Sequence, residues 1–334
     1  MKTAILAILL FCIMIFPHEL GHFIAAKRMG VKVNEFAFGM GPTIWKKQRG
    51  ETLHSIRLFP VGGFCAMEGE DEESEEPRAF NNKKPWQKIV ILAAGSFMNV
   101  VCAVLIMSLV VGIIGFTTTT IDQVTDGSPA EAAGLAAGDE IIAVNGQKTE
   151  EWTDISGAIA SSAGASVAVT VEREGQELSL ELKPQLNESG QYLVGITSKV
   201  SHNPLRSLVE GARSTWNMTV TMFETLGQLF SGRLGADSLS GPVGMVQMVG
   251  ETAQYGLWYY GFLTALICLN LAIINMLPLP ALDGGRIIFV LYTMISGRKV
   301  SQKVEGTIHL VGLALLFGLM IYVTFNDVTR IFGS

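Results

Sequence analysis

Charge is what this 334-residue chain has least of: Asp, Glu, Lys and Arg make up only 16% of it, where a soluble enzyme of this size carries nearer about 25%. The scarcity is concentrated. Residues 89–115, 257–279 and 308–325 contain no Asp, Glu, Lys or Arg, and each can cross a hydrocarbon core about 30 Å thick. With the apolar stretch 4–26 they make four candidate spans, so the expected fold class is a polytopic α-helical membrane protein with the lipid bilayer as its surroundings. A soluble or peripheral protein would need these stretches to be core helices, and partition into detergent-extractable membranes separates the two readings. Cysteine is scarce as well. Cys12, Cys65, Cys102 and Cys268 show no C-x-x-C spacing and three lie in apolar segments, which excludes a disulfide framework and a cysteine zinc site. The net charge of −6 gives no footing for a nucleic-acid partner.

The few charges are unevenly placed. Residues 27–88 hold eleven Lys and Arg and residues 286–305 hold four, whereas the longer stretch 116–256 holds seven. Positive-inside bias then puts the first two regions in the cytoplasm and the long middle segment outside, with both termini outside as well. The acidic run Glu68 to Glu76 counts little toward topology and reads as a solvated loop.

What is present begins with His18-Glu19-Leu20-Gly21-His22, set inside the first apolar stretch. On a helix His18 and His22 project from one face, so both imidazoles reach one metal while Glu19 stands beside its water. That is the geometry of zinc-assisted peptide hydrolysis. Two imidazoles and a carboxylate in hydrocarbon are costly unless a partner compensates them. The bland alternatives are a chance pattern, or a signal-peptide core with Ala25 and Ala26 near a cleavage site. A catalytic zinc site usually has a third protein ligand. Asp283 is the candidate, in Asn275-Met276-Leu277-Pro278-Leu279-Pro280-Ala281-Leu282-Asp283-Gly284-Gly285: the prolines break the helix and the glycines allow close backbone approach. Irregular backbone at that depth belongs where it lines a cavity. An ordinary capping Asp is the alternative.

Between the spans the texture changes. Residues 31–66 are strand-like, with Arg49-Gly50 as a hairpin turn, and predict a small cytoplasmic or membrane re-entrant sheet or hairpins, against an irregular amphipathic loop. Residues 119–184 form an independent module: Ser128-Pro129-Ala130, Gly138-Asp139, Ile141-Ile142, Asn145-Gly146 and the alternating strand Val167 to Arg173. This series resembles the PDZ domains of bacterial proteases, which implies an extracytoplasmic α+β domain, placed over 116–200, with a groove for a peptide or substrate segment. Apolar residues recur at helical spacing from Leu205 to Phe230, so an amphipathic helix is expected in 201–256, lying on the membrane surface or packed on the module. Residues 1–30, 89–115 and 308–334 are read as the first, second and fourth transmembrane helices, 257–285 as the third segment with the aspartate, and 286–307 as a cytoplasmic loop.

Taken together, His18-Glu19-x-x-His22 and Asn275-x-x-Pro278-x-Pro280-x-x-Asp283-Gly284 resemble the paired motifs of the site-2 protease family of intramembrane zinc metalloproteases, in its bacterial regulator-of-sigma-E-protease branch. Phe38-Gly39-Met40-Gly41, Pro60-Val61-Gly62-Gly63-Phe64, Ala79-Phe80-Asn81-Asn82-Lys83, Gly95-Ser96-Phe97-Met98-Asn99, Ser240-Gly241-Pro242-Val243-Gly244 and Phe325-Asn326-Asp327 extend the resemblance over nearly the whole chain. It implies a bacterial plasma-membrane endopeptidase acting on single-span membrane proteins such as anti-sigma factors or leftover signal peptides. It also implies one zinc ion held by His18, His22 and Asp283, Glu19 as general base and then proton donor, and Asn275 steadying the substrate or its tetrahedral intermediate. Gly95, Asn99 and Asn270 match positions that hold substrate, although interhelical hydrogen bonding is the bland reading of the two asparagines. Departures are a single PDZ-like module, Ser96 for a common Pro, and Thr293 where many relatives have an acid. A catalytically silent adaptor that recruits peptides is the competing function, and the intact Glu19 argues against it.

Overall fold

The computed structural model describes residues 2–332 except 71, 188, 236–239 and 299; Asp71 of the acidic run thus lies outside the described residues. Helix α1 (Lys2–Arg28) carries the His-Glu motif and is continuous through Pro17. Its C-terminus is built for stopping. Val31 N–H bonds to Ala26 O at 2.8 Å and Gly30 N–H to Lys27 O at 3.1 Å, with Gly30 at φ 69°, the double hydrogen-bond closure that a left-handed glycine permits. Lys27 and Arg28 in the last turn face the negative end of the helix dipole.

Strands β1 (Val33–Arg49) and β2 (Thr52–Met67) follow as a long hairpin turning at Gly50-Glu51. Both strands bend back on themselves. Residues 35–38 lie opposite 63–66 on one side and 53–56 on the other, and 53–56 in turn lie opposite 45–48. The bends fall at Gly39 and Gly41 (φ 86° each) and at Gly62 (φ 92°), where an L side chain would be strained. Folding over brings the Gly50-Glu51 turn back to the end of α1, where Glu51 accepts from Lys27 at 2.5 Å and from both terminal nitrogens of Arg78 at 2.6 and 2.7 Å. The acidic loop is fastened to the segment after it: Asn81 and Asn82 donate to Ser74 O, and Asn82 also to Glu76 O.

Helix α2 (Pro85–Ile114) leads into the second compact unit, residues 111–210. Here β3 (Phe116–Val124), α3 (Pro129–Ala132), β4 (Glu140–Val144), β5 (Gln147–Lys148), α4 (Trp152–Ser161), β6 (Val167–Arg173), β7 (Gln176–Leu182), β8 (Gln185–Leu186), β9 (Tyr192–Leu193) and β10 (Ile196–Ser201) are arranged around an antiparallel sheet in the order β10-β3-β4-β6-β7. Ser128 caps α3 through its hydroxyl. Ile121, Ile141, Val144, Ile155, Val167, Val169 and Val171 fill the core, which is the inward half of each strand's alternation. Buried Asp139 is clamped by Arg173 (Nε–Oδ1 2.6 Å, Nη2–Oδ2 2.7 Å). Burial opposes ionisation there, but the guanidinium and the Ala136 amide outweigh it and hold the carboxyl below the usual range. The sheet does not close at Arg173: β10 returns to pair with β3, a strand whose short, polar sequence carries little signal of its own.

The first unit resumes with α5 (Pro204–Phe230), α6 (Pro242–Thr252), α7 (Leu257–Asn275), α8 (Asp283–Ser296) and α9 (Gln302–Phe332). One expectation, the loop at 286–307, is corrected. In the third segment the helix stops before the two prolines, as their sequence implies: Pro278 and Pro280 withhold amide donors and α7 ends at Asn275. The expected loop at 286–307 is helical to Ser296, because Asp283 at the first helical position and the run Ile287 to Leu291 make a sound helix once Gly284 and Gly285 are packed. The connector after α5 contains α6, with Pro242 at its start. Four helices among the described residues are long and apolar enough to cross a membrane: Lys2–Arg28, Pro85–Ile114, Leu257–Asn275 and Lys303–Arg330. Their outer faces show Leu105, Leu109, Ile113, Leu315 and Ile321 to the surroundings, as helices solvated by lipid do. On α5, Leu205, Val209, Trp216, Phe223 and Phe230 are exposed, an apolar stripe of the kind that suits a membrane surface.

Candidate metal centre

Four helices build the centre. His18 and His22, four residues apart on α1, turn their Nε2 atoms toward one point, 3.2 Å from each other. Asp283, at the first position of α8, brings Oδ2 to 3.3 Å from His18 Nε2 and 3.4 Å from His22 Nε2. Asn275, the last residue of α7, places Nδ2 3.3 Å from His18 Nε2. From α2, the Ile91 carbonyl accepts from His22 Nδ1 at 2.9 Å, which fixes the proton on Nδ1 and leaves the Nε2 lone pair facing Asp283.

Small residues make this convergence possible. A Cβ on Gly21, between the two histidines, would lie 2.2 Å from Ala94 O; one on Gly95 would lie 2.3 Å from His22 Nε2 and 2.7 Å from His18 Cε1. Helix α2 therefore lies directly on the imidazoles. Gly284 and Gly285 act likewise in the loop that aims Asp283, where added Cβ atoms would meet the carbonyls of Leu277 and Leu279 at 2.3 and 2.2 Å.

The donor set fits zinc. Two imidazole lone pairs and a carboxylate oxygen face one another, all three ligand atoms lie within 4.8 Å, and Oδ2 of Asp283 is buried with no hydrogen bond. Such a cluster is repulsive and costly in an apolar interior without a cation. Tetrahedral zinc with bonds near 2.05 Å requires ligand atoms about 3.3 Å apart, and three protein ligands leave a position open.

Glu19, beside His18 on α1, also borders the hairpin: its Cγ is 3.4 Å from where a Gly63 Cβ would stand. Among the described residues, 63–66 pair with 35–38 alone, and Gly63 of this segment stands beside the acid. Asn99, one turn beyond Gly95 on α2, is fully buried (0% exposed) with neither amide atom hydrogen-bonded, and neighbouring Ser96 Oγ is buried and unpaired too. Asn270 is not brought to the cluster: it stands exposed on α7. Gly21 and the Ile91 carbonyl were missed by sequence reasoning; the signal for the first was a glycine one turn after His18 and next to His22, and a main-chain carbonyl leaves none.

In the second unit, a cavity of about 720 Å³ runs between α4 and residues 190–196, lined by Trp152, Ile155, Ile159, Tyr192, Leu193 and Val194 among others.

A sequence model of peptidase family M50 matches residues 6–319. The chain belongs to this family, the site-2 proteases. It is similar to a Clostridium acetobutylicum protein named for zinc metalloprotease activity, 37% identical over 97% of this chain and 96% of that one. It is also similar to the Bacillus subtilis regulator of sigma-W protease RasP, 30% identical over 99% of both chains. Part of this chain (25%) is similar to the PDZ domain of an SdrC-like protein from Listeria monocytogenes, 24% identical over 86% of that chain with a TM-score of 0.22. The protein is thus an integral membrane zinc metalloprotease.

Proposed function

We propose that the chain hydrolyses peptide bonds inside the membrane-spanning segments of single-span proteins, anti-sigma factors and remnant signal peptides among them, after their outer domains have been trimmed. The observation that carries this reading is the convergence of His18, His22 and Asp283 among helices apolar enough to span a bilayer. These three residues would hold one zinc ion. Bound there, zinc lowers the pKa of water to about 7 and polarises a carbonyl.

The rest of the chemistry belongs to side chains of the chain itself. Glu19 takes the proton of the attacking water and passes it to the leaving nitrogen. Asn275 Nδ2, beside His18, is placed to donate to the oxyanion that develops on the scissile carbonyl. A substrate helix must unwind to expose its peptide bond, and the outer side of residues 63–66 offers it strand pairing beside Glu19. The unpaired amide of Asn99 supplies one donor and one acceptor to the same unwound backbone, which lifts the penalty of burying it unbonded.

For the second unit we adopt the topology drawn from the charge distribution, with the module and both termini outside. Its groove between α4 and residues 190–196 then takes an extended peptide or excludes substrates whose outer domain is still bulky.

The deciding experiment uses the purified full-length protein with a tethered single-span substrate. Glu19→Gln keeps zinc at one per chain while turnover falls at least about 100-fold, whereas Asp283→Ala loses both zinc and turnover. Unchanged turnover in Glu19→Gln would remove the proposed base. Cysteine probes at Gln176 and Lys47 test the topology, the first expected to react from outside and the second not.

A further inference from the structure

The loop from Met276 to Leu282 has to aim Asp283, yet its own hydrogen bonds are few and local: Leu279 N–H to Leu277 O, Leu282 N–H to Leu279 O. Two contacts reach it from α9. One turn of that helix presents His309 and Gly312, three residues apart and hence on one face. Ala281 N–H donates to His309 Nδ1 at 2.8 Å. Pro280 packs against Gly312 so closely that a Cβ there would stand 2.3 Å from the proline Cβ and 2.9 Å from its carbonyl oxygen. Ala281 itself is at φ 71°, a left-handed conformation that an alanine adopts only when its surroundings hold it.

His309 is held in turn. Its ring meets Phe289 of α8 at a centroid distance of 5.7 Å, and its Nε2 faces Glu305 Oε1, one turn earlier on α9, at 3.9 Å. Accepting at Nδ1 requires that nitrogen to be unprotonated, so the ring is the tautomer with its proton on Nε2, toward Glu305. The histidine therefore has a defined tautomer, a defined orientation and a bond to backbone two residues from the aspartate.

We infer that His309 is a positioning residue of the metal centre: by accepting the Ala281 amide it locks the strained loop so that Asp283 Oδ2 meets the two histidines of α1. The inference rests on the reading of Asp283 as a zinc ligand. It makes the fourth span part of the site although that span contributes no ligand. Groups that orient a metal ligand typically change metal affinity or activity by about 10–100-fold when removed.

The test exploits the shape of histidine. In Asn, Oδ1 occupies the place of Nδ1 and can accept the Ala281 amide; in Gln, the oxygen lies where Nε2 was and cannot; Leu has no acceptor. Full-length His309→Asn, His309→Gln and His309→Leu, with Asp283→Ala as control, would be purified and monitored for monodispersity. Zinc loss to a chelator and steady-state kcat and KM are then measured. His309→Asn should release zinc within about twofold of the native rate and keep its kcat, while the Gln and Leu variants release it at least about tenfold faster and lose kcat with KM little changed. Should the Leu variant fail to fold, the Asn and Gln pair, both polar and close in size, still decides. Equal zinc loss in Asn and Gln, or native behaviour in Gln and Leu, would overturn the inference while leaving Asp283 as ligand if its own variant loses zinc. Full zinc in Asp283→Ala would overturn both.

Discussion

Replacing Gly95 by alanine adds a single methyl group at the point where α2 crosses the two histidines. That methyl would stand 2.3 Å from His22 Nε2, 2.7 Å from His18 Cε1 and 2.9 Å from His18 Nδ1. Carbon and nitrogen atoms rest no closer than about 3.3 Å, so either α2 or the imidazole pair must retreat by about 1 Å. Helix α2 resists, because Gly21 on α1 already has Ala94 O 2.2 Å from the place of its own Cβ and cannot accommodate a tilt. The imidazoles move instead. A displacement of that size at a reacting centre costs on the order of 100-fold in rate, and overpacking a tight core costs about 1–3 kcal/mol in stability. Purified Gly95→Ala should therefore hold less zinc and show a reduced kcat, with a lowered unfolding temperature. Gly227→Ala is the matched control: it too lies inside a helix, nothing stands within 4 Å of its added Cβ, and it should stabilise by about 0.5–1 kcal/mol. If Gly95 served only to receive substrate, its alanine variant would keep full zinc and raise KM alone, and that outcome would refute the packing argument.

Asp327 is 1% exposed and accepts from the Gly241 and Gly244 amides at 2.9 and 2.8 Å, pinning the start of α6 to the end of α9. Asp327→Ala should lower stability by about 2–3 kcal/mol, and Asp327→Asn, which keeps an acceptor, by less; thermal unfolding in detergent checks both. In the module, Arg173→Leu leaves the Asp139 carboxyl buried without its partner and should cost about 3 kcal/mol, read as faster proteolysis between residues 116 and 201. At the hairpin turn, Arg78 first and Lys27 second hold Glu51 down to about pKa 2 from 4.5. Because the folded value is the lower one, this contribution is complete above about pH 4.5 and drains away as pH falls toward 2. Glu51→Gln should accordingly narrow the difference in hairpin protection between pH 6 and pH 3, measured by amide exchange.

How much of this was legible in the chain differs by kind of interaction. The four spans and the pair His18 and His22 could be read because each depends on periodicity or composition within one segment. Asp283 could be read because two prolines and two glycines around a lone acid at membrane depth leave few other roles for it. The helix that follows could not: Gly284-Gly285 resembles a turn, and only their packing against the carbonyls of Leu277 and Leu279 shows that they permit a helix start. The PDZ-like module was read from its turns, yet β10 escaped because Ile196 to Ser201 becomes a strand only through its pairing with β3, some eighty residues earlier. Asn270 and Asn99 looked equivalent in sequence and are not. One is exposed on α7, the other wholly buried with an empty amide.

Gly95, read from sequence as a substrate position, and three residues that sequence left unread share a property that bears on how such a site is maintained. Gly21, Gly95, Gly312 and His309 hold nothing by themselves; each fixes the distance between two helices, or between a helix and a loop. In water such distances are set largely by burying apolar surface, but helices surrounded by lipid gain little from that. Close approach at small residues and a few cross-helix hydrogen bonds must then set them. A metal centre whose proposed ligands come from α1 and α8 is thus only as well defined as the contacts of α2 and α9, to which no ligand is assigned. For that reason substitutions at Gly95 and His309 should weaken zinc binding, whereas substitutions at exposed lipid-facing positions on the same helices, such as Leu109 and Ile321, should leave zinc content and turnover unchanged.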